Sequence, residues 1–156
     1  MNYTNTPDAP AAIGPYSQAI SANGFLFASG QVPLMPGTGE IVGTTIEEQA
    51  ERACQSIKAI LAANGLGFED VIKTTCFLAN MEDFAAFNGV YGKYFTGKPA
   101  RSCVAVKELP KKLLCEIEII AVCKQDISDN QRAPKSKAFV LKWTGRFSAE
   151  RRKSGL

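Results

Sequence analysis

At 156 residues and 46% hydrophobic content, the chain is long enough for one domain with a substantial core and too short for two comfortable ones. Through Cys123 there are nine lysines and arginines against twelve aspartates and glutamates, and from Lys124 onward nine against three, so a mildly acidic body of net charge −3 precedes a basic segment of +6, and the body lacks the basic patch that marks a nucleic-acid binder. Histidine is absent, which excludes Cys–His hydrolysis and histidine-based acid–base pairs, and no apolar run approaches the ~18 residues of a membrane span.

The N-terminal stretch Met1 to Asp8 has neither the basic nor the apolar region of a signal peptide. Gly14-Pro15 then reads as a turn that delivers Tyr16 and leads into a strand. Asn23-Gly24 is a tight hairpin signal, with Phe25 to Ser29 as the returning strand. That strand ends in Gly30-Gln31, where a glycine admits close approach of backbone to a ligand and exposes its own N–H. Thr45-x-x-Glu48 is a capping box that opens a helix carrying Ile46, Ala50, Ala53, Ile57, Ile60 and Leu61 at helical spacing, and Asn64-Gly65 stops it. Val71 to Leu78 is a strand rich in β-branched and aromatic residues. Asn80 is a cap for a second helix, with Phe84, Phe87, Tyr91 and Phe95 on one stripe and Asn88 beside it. Arg101 to Val106 and Leu113 to Cys123 are the last two strands, joined around Leu109-Pro110.

The order β-β-α-β-α-β-β predicts an α+β domain over residues 1–123, a mixed sheet with both helices on one face. In the last strand Cys115, Ile117, Ile119 and Ala121 fall on one face and Glu116, Glu118, Ile120 and Val122 on the other. The helices account for the first face. The second, apolar apart from its two carboxylates, calls for cover by another copy of the chain, so a homo-oligomer is expected.

Arg101 stands at the mouth of an apolar strand, where an unpaired charge is too costly to keep. Its anionic partner is either a structural carboxylate such as Glu116 or the carboxylate of a small substrate. The five cysteines, Cys54, Cys76, Cys103, Cys115 and Cys123, are odd in number, lie in apolar segments and form no C-x-x-C pair. They read as reduced core residues of a cytoplasmic protein, and without histidine a zinc site has too few ligands. Residues 124–156 read as an appended basic extension of unassigned role, solvated or weakly packed; the sharper alternative is an arm for nucleic acid or an acidic partner.

Six motifs occur in a familiar order: Ile13-Gly14-Pro15-Tyr16-Ser17-Gln18-Ala19, Ser29-Gly30-Gln31-Val32-Pro33, Thr38-Gly39-Glu40, Phe87-Asn88-x-x-Tyr91, Pro99-Ala100-Arg101-Ser102-Cys103-Val104, and Leu109-Pro110 ending in Glu116-Ile117-Glu118. Over about Asp8 to Val122 the chain resembles the RidA/YjgF family, also called endoribonuclease L-PSP. The resemblance implies a chorismate-mutase-like fold, a homotrimer with ligand clefts between subunits, and hydrolysis of reactive 2-imino acids of the 2-iminobutanoate and 2-iminopropanoate type to 2-keto acids and ammonia, with no metal or cofactor. It implies that Arg101 grips the substrate carboxylate and Glu116 orients or activates the attacking water. Ser29 and Tyr16 would line the pocket with Asn88 near it, and Gly30 and Cys103 would contribute through backbone. An arginine fork matches a planar carboxylate at two points, and imine hydrolysis needs only a placed water, a base and a route for a proton to nitrogen.

Two other functions compete. Ribonuclease chemistry would need acid–base or metal groups beyond Glu116 and Glu118, and an acidic body is a poor RNA surface. A non-catalytic trimer binding small carboxylates would use the same arginine pocket, with Glu116 as a balancing charge.

Overall fold

Alternation along Cys115 to Val122 sends every second side chain to one side of the strand, and on that side Cys115, Ile117, Ile119 and Ala121 are buried. A computed structural model describes residues 1–124. In chain order they form β1 (Asn2–Thr4), β2 (Ala19–Ala22), β3 (Phe25–Gln31), α1 (Ile46–Ala63), β4 (Val71–Leu78), α2 (Phe84–Tyr94), β5 (Ala100–Ala105) and β6 (Cys115–Val122). The strands make one mixed sheet in the order β1-β2-β3-β6-β4-β5. β4 and β5 are parallel and the other neighbours antiparallel.

Both helices cover the same face, as expected, and the main core lies beneath them, including Ile57, Ile60, Leu61, Phe87, Leu78 and Ile117. α1 begins at the expected capping box: the Thr45 hydroxyl accepts from the Glu48 amide, and Glu48 Oε2 accepts from the amides of Thr44 and Thr45. It ends in a left-handed Gly65 (φ +68°), whose amide reaches the Ala62 carbonyl while the Leu66 amide reaches that of Leu61.

Some expectations change. β1 was not anticipated: Asn2-Tyr3-Thr4 has no apolar alternation, and it forms because β2 presents an open edge, pairing Tyr3 with Ile20. Asn80 caps a short 3₁₀ turn, Met81–Asp83, rather than α2 itself, its side chain accepting from the Glu82 amide. β6 starts at Cys115 rather than Leu113, because a 3₁₀ turn at Pro110–Lys112 drops Leu113 into a second, smaller cluster with Leu34 and Leu109. The expectations for the basic extension lie outside the described residues. At its start, Lys124 Nζ is 3.4 Å from Asp70 Oδ2 and 3.8 Å from Glu69 Oε1.

The sheet face away from the helices carries Phe27, Val104 and Val122 exposed by 48%, 47% and 41%, with Ile120 and Glu118 between them in register. This is the apolar second face that the pattern of the last strand required.

Candidate functional site

The β3–β6 ladder shifts register between Ala28 and Gln31, and the irregularity releases Ser29 and Gly30 from regular pairing. Ser29 is fixed by its neighbours: its hydroxyl donates to the Ser17 carbonyl at 2.6 Å and its amide to the Gln18 carbonyl at 3.0 Å. At Gly30 the Glu116 side chain occupies the position a Cβ would take, so any larger residue there would displace that carboxylate. Burial first, and then the Glu118 charge, hold the Glu116 carboxyl above the ordinary carboxylate range.

Tyr16 stands half exposed beside this group, its phenolic oxygen accepting from the Ile13 amide at 3.3 Å. Tyr16, Ser29, Gly30 and Glu116 therefore line one cavity of about 300 Å³, with Leu34 and Leu113 as apolar wall. Lys111 also lines it and was not anticipated. Lys111 and Lys112 both adopt left-handed backbone, φ +56° and +57°, a conformation costly for a non-glycine residue. Lys111 Nζ donates to the Gly39 carbonyl at 3.2 Å, tying this turn to the loop after β3. The sequence signal was only a Pro-Lys-Lys turn, in which nothing marked the left-handed geometry.

The remaining candidates gather elsewhere. Arg101 Nη1 donates to Asn88 Oδ1 at 2.7 Å, and its guanidinium carbon lies 4.7 Å from the Tyr91 ring centre and 5.4 Å from that of Phe84. Phe84, Asn88 and Tyr91 follow one another at helical spacing on α2, so the aromatic stripe of this helix, with Asn88 beside it, cradles the arginine. Tyr91 is anchored in turn by a 2.8 Å hydrogen bond with Thr74. Cys103, half-buried, is in register with Cys76. Burial pushes both thiols up, Cys76 to about 12, and at each Arg101 pulls only partly the other way. Such thiols stay protonated and serve packing rather than nucleophilic attack.

Register keeps the two groups apart. Arg101 lies opposite Thr74, and Thr74 opposite Ile119, all on the helix-covered face. Glu116 lies opposite Phe77, and Phe77 opposite Val104, on the other face. Glu116 follows Arg101 in the next strand of the chain, but β4 stands between those strands in the sheet. Arg101 and Glu116 thus do not pair within one chain, and Arg101 has no carboxylate partner among the described residues.

Residues 6–123 match the family model of endoribonuclease L-PSP. The chain belongs to this family. A RutC family protein of Pyrococcus horikoshii is 54% identical over 117 residues, which are 74% of this chain and 93% of that protein. The chloroplastic Reactive Intermediate Deaminase A of Arabidopsis thaliana is 46% identical over 75% of this chain and 63% of its own length. Among solved structures, the YjgF gene product of E. coli is 41% identical with a TM-score of 0.75, covering 80% of this chain and all of that one. E. coli TdcF with bound serine is 42% identical with a TM-score of 0.75 and the same coverage. The L-PSP family thus has the α+β architecture found here, and while its model carries the name endoribonuclease, one of these relatives is named a deaminase. No helix among the described residues is long and apolar enough to cross a membrane.

Proposed function

We propose that this L-PSP family member hydrolyses reactive 2-imino acids to 2-keto acids and ammonia, in clefts between the subunits of a homotrimer with a chorismate-mutase-like fold. The observation that carries the reading is the division of the site. Among the described residues the Arg101–Asn88 pair is a cation without an anion, and Glu116 with Ser29, Gly30 and Tyr16 lines a cavity on the other face of the sheet. Apposing two copies would complete both halves: the guanidinium of one takes the substrate carboxylate, and the cavity of the next takes the carbon–nitrogen double bond. The exposed apolar sheet face supplies the surface for such an assembly. A serine-bound family structure supports a small amino-acid-like ligand, and a deaminase relative supports the reaction class.

The chemistry balances on these groups alone. Water adds to the imine carbon, Glu116 accepts a proton from it and returns one to nitrogen, and the resulting carbinolamine expels ammonia to leave the keto acid. Burial, which holds this carboxyl above its usual range, favours the protonated form that returns a proton to nitrogen. Five free cysteines suit a reducing compartment, in line with a cytoplasmic enzyme.

A dehydratase generating the imine in situ, with keto-acid release followed, tests the reading. Replacing Arg101 by Ala should cost ~2–5 kcal/mol of carboxylate binding, roughly 30-fold to several thousand-fold in rate. Arg101→Lys should also be impaired, since an ammonium lacks the planar two-point grip. Wild-type hydrolysis by Arg101→Ala would sink the assignment. If wild-type protein instead binds keto acids without accelerating imine decay, the chain is a small-carboxylate binder.

A further inference from the structure

Resting on the imine-hydrolase reading, the cavity walls define which side chain the substrate carries. The Glu116 cavity continues into a second space of about 190 Å³ lined by Met35, Gly37, Thr38 and Gly39, and both spaces share Ile13, Leu34 and Lys111. Ile13 is 74% exposed and Met35 42%, so apolar surface is displayed along the whole trench rather than closed into the core. Lys111 adds its hydrocarbon stem, because its ammonium is held by the Gly39 carbonyl at 3.2 Å. At the inner end the Glu116 carboxyl is taken up by the reaction, and the other polar groups are already engaged: the Ser29 hydroxyl donates to the Ser17 carbonyl and the Tyr16 oxygen accepts from the Ile13 amide. A polar side chain entering here would lose water and find little in return.

We propose that the trench from Glu116 past Ile13, Leu34 and Lys111 to Gly39 makes this protein selective for 2-imino acids with branched or extended hydrocarbon side chains, and for the matching 2-keto acids as products. Two measurements on the full-length protein separate this from the reaction itself. In the first, an L-amino acid oxidase with catalase generates imines from alanine, leucine and phenylalanine, and kcat/KM for their hydrolysis is compared. In the second, calorimetry gives the affinities of 2-oxopropanoate and 4-methyl-2-oxopentanoate. The leucine-derived substrate should exceed the alanine-derived one by about tenfold or more, as each added methylene in an apolar pocket is worth about tenfold or more, and the keto acids should follow the same order. Ile13→Asp, at an exposed position, should narrow both ratios by placing a charge in the trench. Keto-acid affinities that rise with side-chain size while no imine is hydrolysed would uphold the selectivity and defeat the hydrolase reading. Keto-acid affinities that are flat, or that favour the smaller ligand, overturn the proposal whether or not imines are hydrolysed.

Discussion

Glu116 is the residue on which the proposed chemistry turns, and its environment makes a signed forecast. Its folded carboxyl is held above the ordinary range, chiefly by burial, so the folded state keeps the proton longer than the unfolded chain does. Its contribution is therefore full below the ordinary carboxylate value and is lost as pH rises through the elevated one. Glu116→Gln should raise the melting temperature relative to wild type at neutral pH, and the gain should vanish in acid. Turnover should fall about 10²–10⁴-fold, the usual worth of a positioned acid–base group, while keto-acid binding survives. A variant that keeps wild-type turnover would remove Glu116 from the mechanism. Glu118→Gln takes away the second influence on this carboxyl, so the acidic limb of the pH–rate profile should move to lower pH. Gly30→Ala forces a methyl into the space of the Glu116 side chain. It should cost about 1–3 kcal/mol as overpacking, and turnover should fall with it.

At the scale of elements, α1 sets the rim of the cavity through one buried amide. Gln49 Nε2 donates to the Gly43 carbonyl at 3.1 Å, and its Oε1 accepts from the Leu114 amide at 2.8 Å. A single side chain on α1 thus ties the loop after β3 to the approach of β6, the two segments that flank Lys111 and Leu113. Gln49→Leu would strand both backbone groups at about 1–3 kcal/mol each. Urea titration should show a lower midpoint at unchanged slope; an unchanged midpoint would mean that water or neighbouring groups satisfy these atoms. α2 plays the matching part for the other half of the site, since Phe84, Asn88 and Tyr91 hold Arg101 from one helical face.

For the whole molecule, the divided site and the exposed apolar sheet face make the same demand. Light scattering at micromolar concentration should give about three times the 16.8 kDa chain mass. A well-behaved monomer would leave Arg101 and Glu116 on separate faces with no cleft between them. We propose that residues 1–123 carry this assembly, so removal of residues 124–156 should leave trimer and deaminase activity largely intact. Such a truncation removes the pairing of the exposed Lys124 ammonium with Asp70 and Glu69, of a kind worth ~0–1 kcal/mol. Dissociation on truncation would show that the extension is structural. Disappearance of a salt-sensitive RNA affinity would assign it as a basic arm.

Local rules carried much of the fold. The capping box at Thr45, the left-handed stop at Gly65 and the two-residue alternation of Cys115 to Val122 depend on neighbours a few positions away, and all three were legible in the residues themselves. β1 was not, because an edge strand is made by the partner it pairs with rather than by its own pattern. Six ordered motifs also named the family and pointed to the candidate site residues. What they could not state was where those residues stand relative to one another. Chain order places Glu116 one strand after Arg101, whereas sheet order interposes β4, and side-chain alternation then assigns the two to opposite faces. The close approach of Gly30 to Glu116, the left-handed Lys111 and its bond to Gly39 across the cavity mouth are likewise long-range facts. Periodicity decides which way a side chain points along its own element; only the packed sheet decides what it meets.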